Sequence, residues 1–278
     1  MNIPTRFPVL LQVTEPVGKR CCCGMTDLYD ATYVQGSTVR EDRLEAVQPF
    51  KALPNVQEGT PAFDSQGRRA WSTCMEPAFF AGDDRLIDGE VELAAFSPDG
   101  QRLAYMEHVP PWNTRRLFVA AADGSQPRRW DFPGITLNGL AFSPDSKKLW
   151  LTTGGGLYNI ELGSGKYERV PMDHCVDAFS FSPDGTRLAY FESSVLRCRD
   201  LETGIDRTLD DLNRYKCGGA PVFTPDGSRV LYTCSDHSSE QEPAELWVVP
   251  TRGGKPRRLE SPPVVRLATC GGANSEAA

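Results

Sequence analysis

A twelve-residue motif recurs along this chain, and the repetition restricts the accessible folds more than any other feature of the sequence. The copies are AAFSPDGQRLAY at 94–105, LAFSPDSKKLWL at 140–151, FSFSPDGTRLAY at 179–190 and PVFTPDGSRVLY at 221–232, with a weaker copy, PAFDSQGRRAWS, from Pro61. Their shared phenylalanines are Phe63, Phe96, Phe142, Phe181 and Phe223. These phenylalanines are 33, 46, 39 and 42 residues apart. Such intervals match one supersecondary unit of a repeat protein, so the chain should fold by stacking similar units.

Each copy of the motif predicts a β-hairpin. The phenylalanine ends one strand, Ser-Pro-Asp-Gly makes a tight turn, and a basic residue precedes the second strand. Proline presets φ at the second turn position, aspartate tolerates the bridge region, and glycine takes the positive φ that closes the loop. We therefore expect a structural role, and no catalytic one, for the turn aspartates Asp99, Asp145, Asp184 and Asp226.

The second strand of each hairpin is continuously apolar, as in LAY at 103–105 and VLY at 230–232. Both faces of its sheet must therefore be covered. Most copies are followed by another hairpin around a Gly-containing turn, which brings each unit to four strands. Four-stranded sheets that repeat about every 40 residues and are buried on both faces pack radially. We predict an all-β chain with little helix, folded as a β-propeller with four-stranded blades. Because they recur in register beside the turn, we expect Phe96, Phe142, Phe181 and Phe223 to be buried between blades.

The string FSPDG followed by LAY, then by a strand and a Gly-centred turn leading to RRL, resembles the WD-repeat-like repeat of TolB-type propellers. The resemblance covers residues 61–260 and departs from the pattern at 64–66, where Asp-Ser-Gln replaces Ser-Pro-Asp. We expect propeller repeats over 61–267, strands that complete or close the ring in 1–60, and a flexible tail over 268–278. Six blades are expected, with five or seven as alternatives.

Charge and hydropathy exclude several kinds of partner. The formal net charge is −7, whereas non-specific binding to nucleic acid or anionic lipid needs clustered Lys and Arg. No apolar stretch reaches the roughly 18 residues of a membrane-spanning helix, and no signal-peptide cleavage pattern follows the short apolar run at 9–13. We expect a soluble monomer. The resemblance implies a periplasmic or secreted protein, and the missing signal leaves a cytoplasmic location open.

No common catalytic motif occurs in the sequence. G-x-S-x-G, H-E-x-x-H, G-x-G-x-x-G and a complete phosphate loop are all missing. The adjacent cysteines at 21–23 lack a second Cys or His cluster at zinc-finger spacing, and we expect no catalytic thiol among the nine cysteines. We predict no cofactor. The alternative is a divalent cation in the channel, because some TolB-like propellers are lyases with a histidine-bound metal, and His108 and His237 follow equivalent strands.

Candidate binding residues lie where the innermost strand of each blade begins, at one rim of the channel. Four residues before each shared phenylalanine stand Gly59, Glu92, Asn138, Asp177 and Gly219, a set without Lys or Arg. Two long loops, 105–117 and 232–246, should emerge at the same rim, and long loops on a rigid scaffold often carry binding residues. The predicted binding residues are therefore Glu92, Asn138, Asp177, His108, Trp112, Asp236 and His237.

We interpret the chain as a non-catalytic binding or scaffold protein that uses one face of the propeller to hold a protein or peptide partner. Carboxylates gathered at a channel mouth favour a cationic partner. Two alternatives stay open. One is a metal-dependent polysaccharide lyase or hydrolase acting at the channel, and the other is a subunit of a larger envelope or protease-related assembly.

Overall fold

The computed structural model describes most of the chain between residues 78 and 259, together with strand backbone nearer both termini. The described ranges are 9–20, 27–40, 43–49, 53–57, 62–63, 69–73, 78–81, 83–109, 114–130, 137–154, 156–212, 215–217, 219–224, 226–236, 245–259 and 266–269. Every helix or strand within them is a β-strand. The described residues contain no helix with the length and apolar character that crossing a bilayer requires.

The described part of the chain contains 26 strands. They are β1 (Val9–Arg20), β2 (Asp27–Arg40), β3 (Arg43–Pro49), β4 (Leu53–Gln57), β5 (Ala62–Phe63), β6 (Arg69–Thr73), β7 (Ala78–Ala81), β8 (Asp84–Ile87), β9 (Glu90–Phe96), β10 (Arg102–Val109), β11 (Thr114–Ala121), β12 (Arg128–Trp130), β13 (Leu137–Phe142), β14 (Lys148–Thr153), β15 (Gly156–Glu161), β16 (Tyr167–Arg169), β17 (Phe179–Phe181), β18 (Arg187–Glu192), β19 (Val195–Asp200), β20 (Asp206–Asp211), β21 (Tyr215–Cys217), β22 (Val222–Phe223), β23 (Arg229–Asp236), β24 (Glu245–Pro250), β25 (Arg257–Arg258) and β26 (Arg266–Thr269).

These strands form four-stranded blades in a propeller arrangement, as the repeat predicted. Blades 1 to 5 consist of β5–β8, β9–β12, β13–β16, β17–β20 and β21–β25, and in blade 5 both β21 and β22 pair with β23. A further N-terminal sheet has the order β26-β1-β2-β3, with β4 paired to β2. The count of six blades stays a prediction, because only strand backbone is described in the N-terminal sheet.

Two compact units make up the chain. Blades 1 to 3 lie in the unit formed by residues 55–172, 16–29 and 269–278. Blades 4 and 5 lie in the unit formed by residues 173–268, 1–15 and 30–54. Each unit buries its own apolar side chains between neighbouring blades, and each fully buried large side chain stabilises the fold by about 1.5–3 kcal/mol.

Among the residues whose side chains are described, three clusters of buried side chains carry this packing. The cluster of blades 1 and 2 includes Phe79, Ile87, Val91, Leu103 and Tyr105. The cluster of blades 2 and 3 includes Leu117, Trp130, Phe142, Leu149 and Ile160. The cluster of blades 4 and 5 includes Phe191, Leu196, Phe223, Tyr232 and Val249. The second strand of blade 2 contributes residues to both of its faces, with Leu103 and Tyr105 in the first cluster and Ala104 and Met106 in the second, as its continuously apolar sequence predicted.

The shared phenylalanine is buried in three of the four strong repeats. Phe96, Phe142 and Phe223 are 7%, 5% and 5% exposed. Burial of Phe181 was also expected and is wrong, because this side chain is partly exposed. Phe179 lies two residues earlier on the same face of β17 and takes the buried position, at 5% exposure. The ring of Phe181 instead contacts the ring of Phe179 edge to face.

The turn aspartates hold the hairpin turns, as predicted. In blade 4 the Ser182 hydroxyl donates to Asp184 Oδ1 over 2.6 Å and accepts the Arg187 backbone N–H over 2.9 Å. The same carboxylate oxygen accepts the Thr186 N–H over 3.1 Å. Equivalent hydroxyl–carboxylate pairs close the other turns: Ser97–Asp99, Ser143–Asp145 and Thr224–Asp226. Each of these carboxylates is therefore occupied by its own turn.

Candidate binding rim

Blades 2, 3 and 4 each have two ends with different chemistry. The turn end carries the Ser-Pro-Asp turn, and at the rim end the first strand begins and the second strand ends. Glu92 lies near the start of β9, Asn138 near the start of β13, and Asp177 just before β17. The structure thus places these three predicted residues at the rim ends of blades 2, 3 and 4. The predicted convergence of the three at a channel mouth stays a prediction.

At the rim end of blade 2, Glu92 forms an ion pair with Arg115. The Arg115 Nε donates to Glu92 Oε2 over 2.8 Å, and its Nη2 lies 3.4 Å from Oε1. Both side chains are about one-third exposed, at 30% and 36%. Arg115 belongs to β11, the third strand of the blade. The pair offsets much of the negative charge that the sequence suggested at this position.

Glu107 is a second carboxylate at the rim end of blade 2. Its position in β10 lies opposite Val91 on one side and Arg116 on the other. Partial burial raises the pKa of the Glu107 carboxyl, and the charge of Arg116 offsets only part of that shift. The carboxylate packs over Gly89, where a Cβ would lie 2.1 Å from Glu107 Oε1. Glycine at 89 therefore leaves the space that this side chain fills.

At the rim end of blade 3, Asn138 lies at an irregularity in strand pairing. The register between β13 and β14 shifts between Leu137 and Gly139. Such a bulge leaves one residue out of the ladder, and Asn138 is exposed while Leu137 is buried. Arg169 is exposed at the same end, and a Cβ at Gly156 would lie 3.3 Å from its Nε. This rim thus presents an amide and a guanidinium.

The rim end of blade 4 joins four side chains in one row of contacts. His174 Nδ1 lies 3.0 Å from Glu192 Oε1, and Arg197 Nε donates to Glu192 Oε2 over 2.7 Å. Arg197 Nη1 also donates to the Thr208 hydroxyl over 2.9 Å. The three charged or ionisable side chains are 19–29% exposed. We call His174, Glu192, Arg197 and Thr208 the blade 4 rim cluster.

Asp177 lies beside this cluster and shapes the turn next to it. Its Oδ2 accepts the backbone N–H of Ser193 over 2.7 Å, and its own N–H donates to the Phe191 carbonyl over 2.9 Å. Ser193 has a φ of 52°, in the left-handed region that disfavours side chains. The Asp177 carboxylate therefore helps to hold a tight turn between β18 and β19 and is itself exposed.

Glu192 supplies the carboxylate of the blade 4 rim cluster. Partial burial acts to raise its pKa, but the hydrogen bond from Arg197 and the charge of His174 outweigh that effect. The pKa of Glu192 therefore lies below its ordinary value, and the carboxylate is ionised at neutral pH. The negative charge of Glu192 thus lies between the imidazole of His174 and the guanidinium of Arg197.

The sequence analysis missed the blade 4 rim cluster. A signal was present, because Glu107 and Glu192 each stand two residues after the last tyrosine of their motif copies, Tyr105 and Tyr190. That spacing puts the glutamate on the same face as the tyrosine, at the end of the second strand. The partner of the second glutamate, His174, lies 18 residues away in sequence, and a repeat pattern does not indicate it.

Four of the predicted binding residues have side chains that lie outside the described part of the chain. Trp112 and His237 lie outside the described residues, and the side chains of His108 and Asp236 lie outside the described part as well. The backbone puts His108 near the end of β10 and Asp236 at the end of β23, which are rim ends. Their part in binding stays a prediction, as does a cation held by the two histidines.

The described cysteines differ in exposure. Cys175 is exposed, whereas Cys198 and Cys234 are buried. Burial raises the pKa of the Cys198 thiol to about 11, so this thiol is almost wholly protonated at neutral pH and is a poor nucleophile. Within the described residues, no group of three or more His, Cys, Asp and Glu side chains is arranged to hold a metal ion.

Comparison with solved structures shows the fold class of this chain, a β-propeller. TolB from Acinetobacter baumannii is similar with a TM-score of 0.64 and 18% identity, over 92% of this chain and 67% of that one. A putative TolB from Agrobacterium tumefaciens is similar with a TM-score of 0.59 and 17% identity, over 78% and 84%. A chain of the nidogen/laminin complex is similar with a TM-score of 0.67 and 15% identity, over 94% and 96%. No protein-family model and no curated protein matches the sequence.

Proposed function

We propose that this chain is a non-catalytic binding protein, and that the rim end of blade 4 belongs to the surface that holds a protein or peptide partner. The blade 4 rim cluster carries this proposal. Its side chains bond mainly to one another, through contacts of 2.7–3.0 Å, and they stay partly exposed. A partner can replace such contacts without breaking a turn or a strand pairing.

The carboxylates at the two ends of blade 4 differ in their hydrogen-bond partners, and this difference also supports a binding role for the rim end. At the turn end, Asp184 accepts hydrogen bonds from Ser182 and from the backbone of Thr186, so that the turn needs its carboxylate. At the rim end, Glu192 contacts only side chains among its described hydrogen-bond partners. Charged side chains whose described hydrogen bonds go to other side chains are suited to recognition, because a partner can replace those contacts and leave the fold intact.

A cationic partner fits this rim. The exposed Asp177 carboxylate and the Glu192 carboxylate are acceptors for Lys or Arg, and a partner cation would compete with Arg197 for Glu192. Arg197, once released, can pair with a carboxylate of the partner. The similar fold in the nidogen/laminin complex supports a role in binding protein, since that propeller-like chain was solved in a complex of two proteins.

Affinity capture with matched variants tests the proposal. The immobilised full chain is exposed to an extract of the source organism, alongside a rim variant, Glu192→Gln with Arg197→Gln. The control removes an exposed ion pair of blade 3 by Lys166→Gln with Glu168→Gln, whose charges lie 2.7 Å apart. The net charge is unchanged in both variants.

We expect wild type and control to retain the same partner and the rim variant to lose most of it, with unchanged urea unfolding. Equal capture by the rim variant would contradict the proposal. Equal loss in the control would contradict it as well, because the retained protein would then respond to surface charge in general.

A further inference from the structure

A turn of blade 5 gathers positive charge. The turn 251–256 joins β24 to β25, and two arginines of blade 4 reach it. Arg207 Nη1 donates to the Arg252 carbonyl over 2.5 Å, and Arg187 Nη1 donates to the Thr251 hydroxyl over 2.9 Å. Lys255 follows in the same turn. We call Arg207, Arg252 and Lys255 the basic turn.

The contacts hold the Arg207 side chain against the turn. A Cβ at Gly253 would lie 3.8 Å from Arg207 Cδ, which is ordinary van der Waals distance. Gly253 has a φ of 87° and its N–H donates to the Pro250 carbonyl over 3.0 Å. The aliphatic part of Arg207 therefore lies along the turn backbone, and its guanidinium is fixed next to residue 252.

Nearby carboxylates have other partners. Asp206 accepts hydrogen bonds from Tyr190, over 2.7 Å, and from Arg199. Asp184 Oδ2 lies 3.9 Å from Arg187, which stands beside the basic turn and is not part of it. In the described part of the chain, no carboxylate lies within ion-pair distance of the three basic-turn side chains, all of which are exposed.

Arg252 and Lys255 share one turn, and the Arg207 guanidinium is held against the backbone of that turn. An anion bound beside these like charges would lower their mutual repulsion. We propose that the basic turn is a docking site for an acidic segment of a partner protein. Arginine binds carboxylates through paired N–H donors, which makes Glu- and Asp-rich chains the matching ligand.

Nucleic acid fits this site less well than an acidic peptide. Its affinity depends on the release of many counterions, and three cations on a net-negative protein release few. The basic turn uses residues that do not belong to the blade 4 rim cluster, so this inference does not rest on the proposed function. The two proposals can fail separately.

Binding of a fluorescein-labelled hexaglutamate peptide tests the inference, with fluorescence anisotropy as the readout. The test variant is Arg252→Glu with Lys255→Glu, because the hydrogen bond from Arg207 goes to the residue 252 backbone, which the substitution keeps. The control is Lys147→Glu with Lys166→Glu, two exposed lysines of blade 3. Both variants change the net charge equally.

We expect the peptide to bind wild type at low ionic strength and to weaken as salt is added. The test variant should lose at least about tenfold in affinity, and the control should keep most of it. If the test variant unfolds at lower urea than wild type, Arg252→Gln with Lys255→Gln replaces it, with the same expected order. Absence of peptide binding at low ionic strength would overturn the inference. So would equal loss in the control, or tighter, basic-turn-dependent binding of a single-stranded DNA oligonucleotide.

Discussion

Arg187 of blade 4 donates a hydrogen bond from Nη1 to the hydroxyl of Thr251 in blade 5, over 2.9 Å. The same guanidinium lies 5.8 Å from the centre of the Phe223 ring. Its Nη2 would lie 2.9 Å from a Cβ at Gly227, so a side chain there would displace the guanidinium, and the φ of 64° itself favours glycine. One side chain thus links the first hairpin of one blade to two turns of the next.

Removal of this link should destabilise the fold. We expect Arg187→Ala to lower the free energy of unfolding by about 1–2 kcal/mol, from the lost hydrogen bond and the lost cation–π contact. Urea unfolding measures it, with Lys255→Ala as the control at an exposed cation of the neighbouring turn. Equal stability of the two variants would show that the link contributes nothing to blade packing.

The shared phenylalanines should differ in their energetic contribution. Phe142→Ala and Phe223→Ala remove side chains that are 5% exposed and should each cost about 3–5 kcal/mol. Phe181→Ala should cost clearly less, because Phe181 is partly exposed. The comparison needs only urea unfolding of three variants. A cost at Phe181 as large as that at Phe142 would contradict the packing described for β17.

Ser146 replaces the turn glycine in blade 3 and has a φ of 58°. Its hydroxyl accepts the Asp99 N–H over 3.0 Å. Ser146→Ala loses this bond and keeps the left-handed backbone, so it should destabilise by about 1 kcal/mol. Ser146→Gly loses the same bond but relieves about 1 kcal/mol of backbone strain, and should be nearly neutral. Thermal or urea unfolding in which both variants lose equal stability would contradict this balance.

The Asp184 turn should make stability depend on pH. The hydrogen bond from Ser182, together with those from Thr186, lowers the pKa of Asp184 below its ordinary 3.8. A lowered native pKa stabilises the fold above the unfolded-state pKa, and the stabilisation is lost as pH falls through the native value. Asp184→Asn should therefore be least stable relative to wild type at neutral pH, with a gap that narrows toward about pH 3. Urea unfolding at several pH values measures this difference in stability. A difference that stays constant between neutral pH and about pH 3 would contradict the role of the ionised carboxylate.

The local part of this fold could be predicted from sequence, because turn chemistry acts over a few residues. Ser-Pro-Asp-Gly specifies its own hydrogen bonds, as the contact of Ser182 with Asp184 shows. Burial depends on side chains from the next blade, which lie far away in sequence. The repeat therefore predicted a buried Phe181, although Phe179 takes that position.

The strand positions of Glu92 and Asp177 could be read from the repeat, whereas the contacts of their side chains could not, and their part in binding stays a prediction. Asp177 and Glu92 lie at rim ends because strand order follows from the repeat. Their partners depend on strand register instead. Arg115 lies 23 residues from Glu92, and His174 lies 18 residues from Glu192. Ion pairs therefore lie at the rim end of blade 2 and, separately, at the rim end of blade 4, where the sequence suggested carboxylates alone.

The association rate between the full chain and its captured partner, measured at several salt concentrations, tests the binding rim most directly. The variant is Glu92→Gln with Asp177→Asn, compared with wild type. Carboxylates at a rim speed the capture of a cationic partner, and salt weakens that effect. We predict slower association by the variant, a flatter dependence on salt, and a nearly unchanged melting temperature. The account would be contradicted if this variant associated as fast as wild type while substitutions of exposed turn-end residues abolished binding and left the fold intact. The partner would then bind at the turn end.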